Sequence, residues 1–175
     1  IEERPEAELG QLVETTLVKP RLRLTADLDR LDAAGKLLRW IRRASPPHTP
    51  EPALFSEANE LLDALDDPLV AIAPRALLAA AGLRILMTLG WGLDLARCVR
   101  CGRLCDPSAA ACIDPARGGL VCRSCGGARF VLRAERRSRL SLAAAGDASS
   151  LDAADAEAAI DLVDQALTAH GGLHD

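Results

Sequence analysis

The chain has 175 residues, the span of one ordinary domain, and its 49% apolar and 26% charged residues exclude an intrinsically disordered chain. Aromatics make up only 2%, with no tyrosine, so the interior has to be built from Leu, Ala, Val and Ile, and base stacking is excluded as a main binding mode. The formal net charge of −4 excludes a uniformly basic nucleic-acid binder, although it hides strong alternation: residues 97–140 carry ten basic and three acidic groups, and residues 141–175 carry seven acidic and none basic.

Residues 1–18 lack a basic start followed by an apolar run, which argues against a secretory signal. The chain opens on Ile1 rather than Met, as a chain with its start removed would. Residues 8–18 contain β-branched residues in partial alternation before Pro20 and read as a single strand. From Thr25, taken as the N-cap, Leu28, Leu31, Leu38 and Ile41 recur at helical spacing up to Arg43, and this set is the expected buried face. Residues 45–50, with three prolines, are a loop.

A second helix is expected over residues 51–65, with Leu54, Phe55, Ala58, Leu61, Leu62 and Leu65 inward and Asp67 capping the segment after it. Residues 69–91 are apolar nearly all round and read as a central buried helix started or kinked by Pro74. The same stretch is cut by Pro74, Arg75 and Arg84 into runs too short to span a bilayer, so a cytoplasmic protein without membrane attachment is expected. Helices are further expected over residues 134–145 and 152–169. The fold class is therefore mainly α, a helical domain with one non-helical insertion.

That insertion reads Cys98-Val-Arg-Cys101-Gly102 and then Cys122-Arg-Ser-Cys125-Gly126, with twenty residues between Cys101 and Cys122. Two residues between cysteines let a tight knuckle aim both sulfurs at one point, and the following glycine lets the backbone turn. Two knuckles supply four thiolates, the tetrahedral shell of structural Zn2+. Disulfides, a redox pair and buried apolar thiols are the competing readings; a cytosolic setting and the absence of a βαβ pattern weigh against the first two. A shell of four protein thiolates leaves no open position, so the ion is expected to be structural. Cys105 and Cys112 read as spare thiols, and residues 106–119 as turns forming a small ribbon that depends on metal to fold.

No Ser/His/Asp set, carboxylate pair or phosphate loop is identifiable, and His48, His170 and His174 are scattered, so no enzyme and no small-molecule substrate are expected. Arg129, Arg133, Arg136, Arg137 and Arg139 cluster past the second knuckle, and Arg42 and Arg43 lie in the other basic zone. These are the candidate phosphate contacts. The alternative is a solvated surface salt-bridged to the acidic C-terminal helix.

The run from Leu83 through Gly90-Trp91 and Asp94-Leu95-Ala96-Arg97 into Cys98-Val99-Arg100-Cys101-Gly102, with Gly118-Gly119-Leu120-Val121-Cys122 to Cys125, resembles the RecO family of bacterial recombination and repair proteins. The stretches Leu9-Gly10-Gln11-Leu12 and Asp27-Leu28-Asp29-Arg30-Leu31 resemble that family's passage into its helical domain. The resemblance implies a remnant or linker of an N-terminal OB-fold domain over residues 1–20, a helical domain over 21–97 and 129–175, and a zinc-binding insertion over 98–128. It also implies binding of single- and double-stranded DNA, strand annealing, and recombinase loading with RecR and the single-strand-binding protein, in the cytoplasm at the nucleoid. Metal-ligand roles fall on Cys98, Cys101, Cys122 and Cys125. The competing function is a zinc-ribbon interaction scaffold that does not touch nucleic acid.

Overall fold

The computed structural model describes residues 13–45 and 49–171. Of the strand expected over residues 8–18, residues 8–12 lie outside the described residues, and 13–18 carry no strand; the loop expected over 45–50 is likewise described only at its ends. The elements in chain order are α1 (Leu22–Ala26), α2 (Leu28–Ala44), α3 (Pro52–Asp66), α4 (Pro74–Thr88), β1 (Asp94–Cys98), β2 (Ala111–Asp114), β3 (Gly119–Val121), β4 (Phe130–Leu132), α5 (Ala134–Ala144) and α6 (Ala153–His170). No helix among the described residues is long and apolar enough to cross a membrane. The mainly helical fold class holds.

The first helix differs from expectation in both its start and its face. Thr25 sits inside the short α1, and Asp27, in extended backbone, caps α2 by accepting from the Arg30 N–H. The buried residues of α2 are Ala33, Ala34, Leu37, Trp40 and Ala44, whereas Leu28, Leu31 and Leu38 are exposed. Two apolar stripes of similar strength run along this helix, and size alone favoured the leucines. The Trp40 stripe won because the indole N–H has an acceptor waiting in Asp164 at 2.6 Å. On α3 the same holds on a smaller scale: Leu54, Ala58, Leu61 and Leu65 are buried, and Phe55 is exposed.

The centre of the molecule is α4. Pro74 begins it, as the sequence allows, because a first-turn residue needs no amide hydrogen. Its run of Ala79, Ala80, Ala81 and Gly82 is fully buried, and small side chains all round let α2, α3 and α6 approach it closely. Gly82 marks the tightest point: a Cβ there would lie 2.6 and 2.9 Å from the Trp40 ring and 3.1 Å from Val163. The hydrogen bond to Asp164 keeps the ring from retreating. Gly82→Ala is therefore expected to cost near the top of the ~1–3 kcal/mol range for overpacking, more than the ~1 kcal/mol of helix propensity gained. A calorimetric Tm lower by roughly 4–8 °C is the expected result.

The four strands form one sheet in the order β1-β3-β2-β4, with β1 parallel to β3 and the other pairs antiparallel. Its inner face adds Ile113, Leu120 and Leu132 to the same core as the helices. The insertion therefore does not hang on metal alone, as the turn-rich sequence suggested. It is also seated on the helical body by apolar burial.

Candidate metal centre

The two knuckles are built by short-range backbone hydrogen bonds. In the first, the Gly102 N–H donates to the Cys98 carbonyl at 2.8 Å and the Cys98 N–H to the Arg103 carbonyl at 2.9 Å. In the second, the Cys125 and Gly127 N–H groups donate to the Cys122 carbonyl at 2.9 and 3.1 Å. Gly102 and Gly126 follow their cysteine pairs with φ of +71° and +99°, a region where a side chain would be strained. Sequence order thus dictates each turn, and the sheet brings the two turns together. Cys98 ends β1 beside β3, and Cys122 directly follows β3.

Gly119 makes that approach close enough. A Cβ on it would fall 2.4 Å from the Asp94 carbonyl oxygen, so no other residue lets β1 and β3 lie at this distance. Two contacts then tie knuckle to knuckle: the Cys122 N–H donates to Cys98 Sγ at 3.3 Å, and Arg100 Nη1 donates to the Cys125 carbonyl at 2.7 Å.

The result is a four-sulfur cluster. The Sγ atoms of Cys98, Cys101, Cys122 and Cys125 all lie within 4.8 Å of one another, and Cys101 and Cys122 are 3.8 Å apart. A tetrahedron with Zn–S bonds of about 2.3 Å has sulfur–sulfur edges of about 3.8 Å, so these residues fit a metal ion of that size. Cys98 is buried, Cys122 and Cys125 are half-buried and Cys101 is exposed. The N–H of Cys122 pointed at its sulfur, with those of Arg100 and Cys101, holds the Cys98 thiol down to about 6. Cys122 is also lowered, first by the Ser124 hydroxyl. Cys125, facing the Cys122 and Cys101 sulfurs, is pushed up to about 12, since a cluster of like charges resists full deprotonation without a cation. This chemistry suits thiolates meant to share a metal.

Cys105 and Cys112 lie outside the four; burial pushes the Cys105 thiol up, which suits a protonated packing residue.

The candidate arginines do not form one surface. Arg137 is 4% exposed, and its guanidinium is turned inward. It donates to the Asp106 carbonyl at 2.6 Å and reaches those of Cys105 and Ala109. It clamps the loop after the first knuckle onto α5 and is not presented to solvent. Arg136 and Arg139 both grip Asp155 on α6. Arg129 and Arg133 are exposed. Arg43 contacts Thr168 near the far end of α6, thirteen residues from Asp155, which is about 20 Å along a helix; Arg42 is its exposed neighbour on α2. For Arg136 and Arg139 the alternative drawn from the sequence, ion pairing to the acidic C-terminal helix, is what the structure has; the Arg137 clamp and the burial of Asp155 were missed. The Asp152-x-x-Asp155 spacing at a helix start was the available signal: Asp152 caps Asp155 and fixes where that carboxylate sits.

Comparison with known proteins adds a lineage to this geometry. The family described as Recombination protein O C terminal matches residues 25–175. A protein named DNA repair protein RecO from Methylorubrum extorquens (strain PA1) is 36% identical over 109 residues, covering 59% of this chain and 42% of that protein. One of the same name from Agrobacterium fabrum (strain C58) is 32% identical over 117 residues, covering 67% and 39%. The chain spans well under half the length of these relatives.

Proposed function

The chain belongs to the recombination protein O C-terminal family, whose curated relatives are named DNA repair proteins, and from that premise we propose that it is the helical, zinc-bearing part of a DNA repair and recombination mediator. In this reading residues 98–128 are the metal-binding insertion, and 21–97 with 129–175 are the helical body that seats it. The ion is Zn2+, because soft thiolates in tetrahedral array select it among the divalent metals a cell offers. Four protein thiolates leave no coordination position for substrate, so zinc holds the knuckles and takes no part in chemistry.

The chain contacts the backbones of single- and double-stranded DNA through cations of the metal element and α5, of which Arg129, Arg133, Arg100 and Arg123 are exposed. It acts in recombinase loading alongside RecR and the single-strand-binding protein, in the cytoplasm at the nucleoid. The family match over residues 25–175 carries this reading; the four-sulfur cluster and the basic character of residues 97–140 support it. The test is fluorescence anisotropy of a labelled single-stranded 30-mer titrated with this chain at several salt concentrations. Binding whose log affinity falls linearly with log salt is expected, at about 0.7 per phosphate neutralised. Failure to bind at low salt would leave the interaction-scaffold function in its place.

A further inference from the structure

Between the start of α5 and the start of α6 lies a cleft of about 580 Å³ lined by Arg133, Glu135, Arg136, Arg139 and Asp152. Behind it sits Asp155, at 0% exposure, accepting from Arg136 Nε at 2.7 Å and from Arg139 Nε. Each arginine is thus held by the Nε edge of its guanidinium. The Nη groups of Arg136 have no acceptor among the described residues, and Arg139 Nη2 has only Asp152 at 3.5 Å. Arg133, the extended residue just before α5, also lines the cleft and has no ion-pair partner among the described residues. A guanidinium carries five donors in a fixed fork, so fixing the Nε edge leaves the remaining donors oriented without a further entropy cost.

We infer that this cleft is a seat for one phosphodiester group of a nucleic-acid backbone, held by the free guanidinium edges of Arg136 and Arg139 with Arg133 at the rim, and with Asp155 as the positioning residue behind them. The inference rests on the DNA-binding reading above and deepens it.

Donor geometry, together with the DNA-binding reading, argues for a phosphodiester. Three guanidiniums stand against Glu135, Asp152 and Asp155, so the cleft attracts an anion through its free Nη donors and not through net charge. A phosphodiester carries a single charge and presents two oxygens matched to the guanidinium fork. Contacts of this kind position a strand and carry no sequence information.

The test compares the chain with R133Q and with the double variant R136K/R139K, each binding a labelled single-stranded 30-mer across a salt series. Lysines keep both charges beside Asp155, so the fold is retained, but they lack the fork. R133Q is expected to lower the salt slope by about 0.7. R136K/R139K is expected to weaken binding about tenfold at fixed salt with Tm unchanged. Both losses should vanish on an oligonucleotide whose central linkages are neutral methylphosphonates. If the chain binds DNA and neither variant differs from it, the seat is overturned while the DNA-binding reading stands. If the unaltered chain does not bind, that reading itself fails. Displacement of the oligonucleotide by poly-glutamate at equal charge concentration would assign the cleft to acidic peptides and overturn the phosphodiester seat.

Discussion

Cys98→Ser should reduce bound zinc from one ion per chain to a small fraction of that, measured by elemental analysis of the purified protein, while Cys105→Ser and Cys112→Ser should leave it at one. Cys98 is the most deeply set of the four clustered cysteines, 1% exposed at the end of β1, and its sulfur takes the Cys122 N–H that joins the two knuckles. A serine oxygen at that place is too hard and too weakly acidic to replace a thiolate on zinc. The damage should be local. Ile113, Leu120 and Leu132 are packed into the helical core and keep the inner face of the sheet seated, whereas beyond Cys98 the knuckles are held by hydrogen bonds among exposed and half-buried residues. Hydrogen exchange should therefore quicken at Val99, Gly102 and Gly127, and stay slow along α4. Treating the unaltered chain with a chelator should reproduce that pattern. A C98S protein that retains a full equivalent of zinc would sink the four-thiolate assignment.

The four-cysteine cluster was legible because its two turns are written in local sequence. A C-x-x-C-G turn needs no knowledge of the rest of the fold, and both turns formed as their glycines require. The helices were legible for a similar reason: Pro74 and Asp152 stand where a helix can start, and the apolar residues between follow a helical period. The features that could not be read depended on contacts between distant residues. On α2, leucines at 28, 31 and 38 looked like the inner face, but Trp40 is buried because Asp164 receives it from 124 residues away. The strands of the insertion are three to five residues long, and stretches that short between Gly and Pro carry no period to recognise. Among the arginines, sequence gives charge without direction. Arg137 differs from Arg136 by one position and about 100° around the helix, which turns it from α6 to the carbonyls of Cys105, Asp106 and Ala109.

The second large effect is expected at Asp155. Its carboxylate is wholly buried, and burial alone would push it up; the charge-assisted bonds from Arg139 and Arg136 overcome that and hold it below the ordinary aspartate value of 3.8. A depressed folded value means that the group contributes stability above the unfolded pKa and loses it as pH falls through the folded one. Stability should therefore be insensitive to this group at neutral pH and decline below about pH 4. Removing the acid with Asp155→Ala should cost about 3 kcal/mol, the low end of the range for breaking a buried pair. The low end applies because the two abandoned guanidiniums, at 35% and 38% exposure, can still reach water. Removing the bases instead leaves an anion that cannot reach water at all, so R136M/R139M should lower the unfolding free energy further than D155A does, although the two side chains it replaces are more exposed. The triple variant D155L/R136M/R139M should recover most of the loss, since apolar groups of similar volume replace a buried ion cluster at little net cost. Urea melts of the three proteins at pH 7 decide it. If D155A is the least stable of them, the buried carboxylate is not the group whose hydration governs this junction, and the asymmetry argued from exposure is wrong.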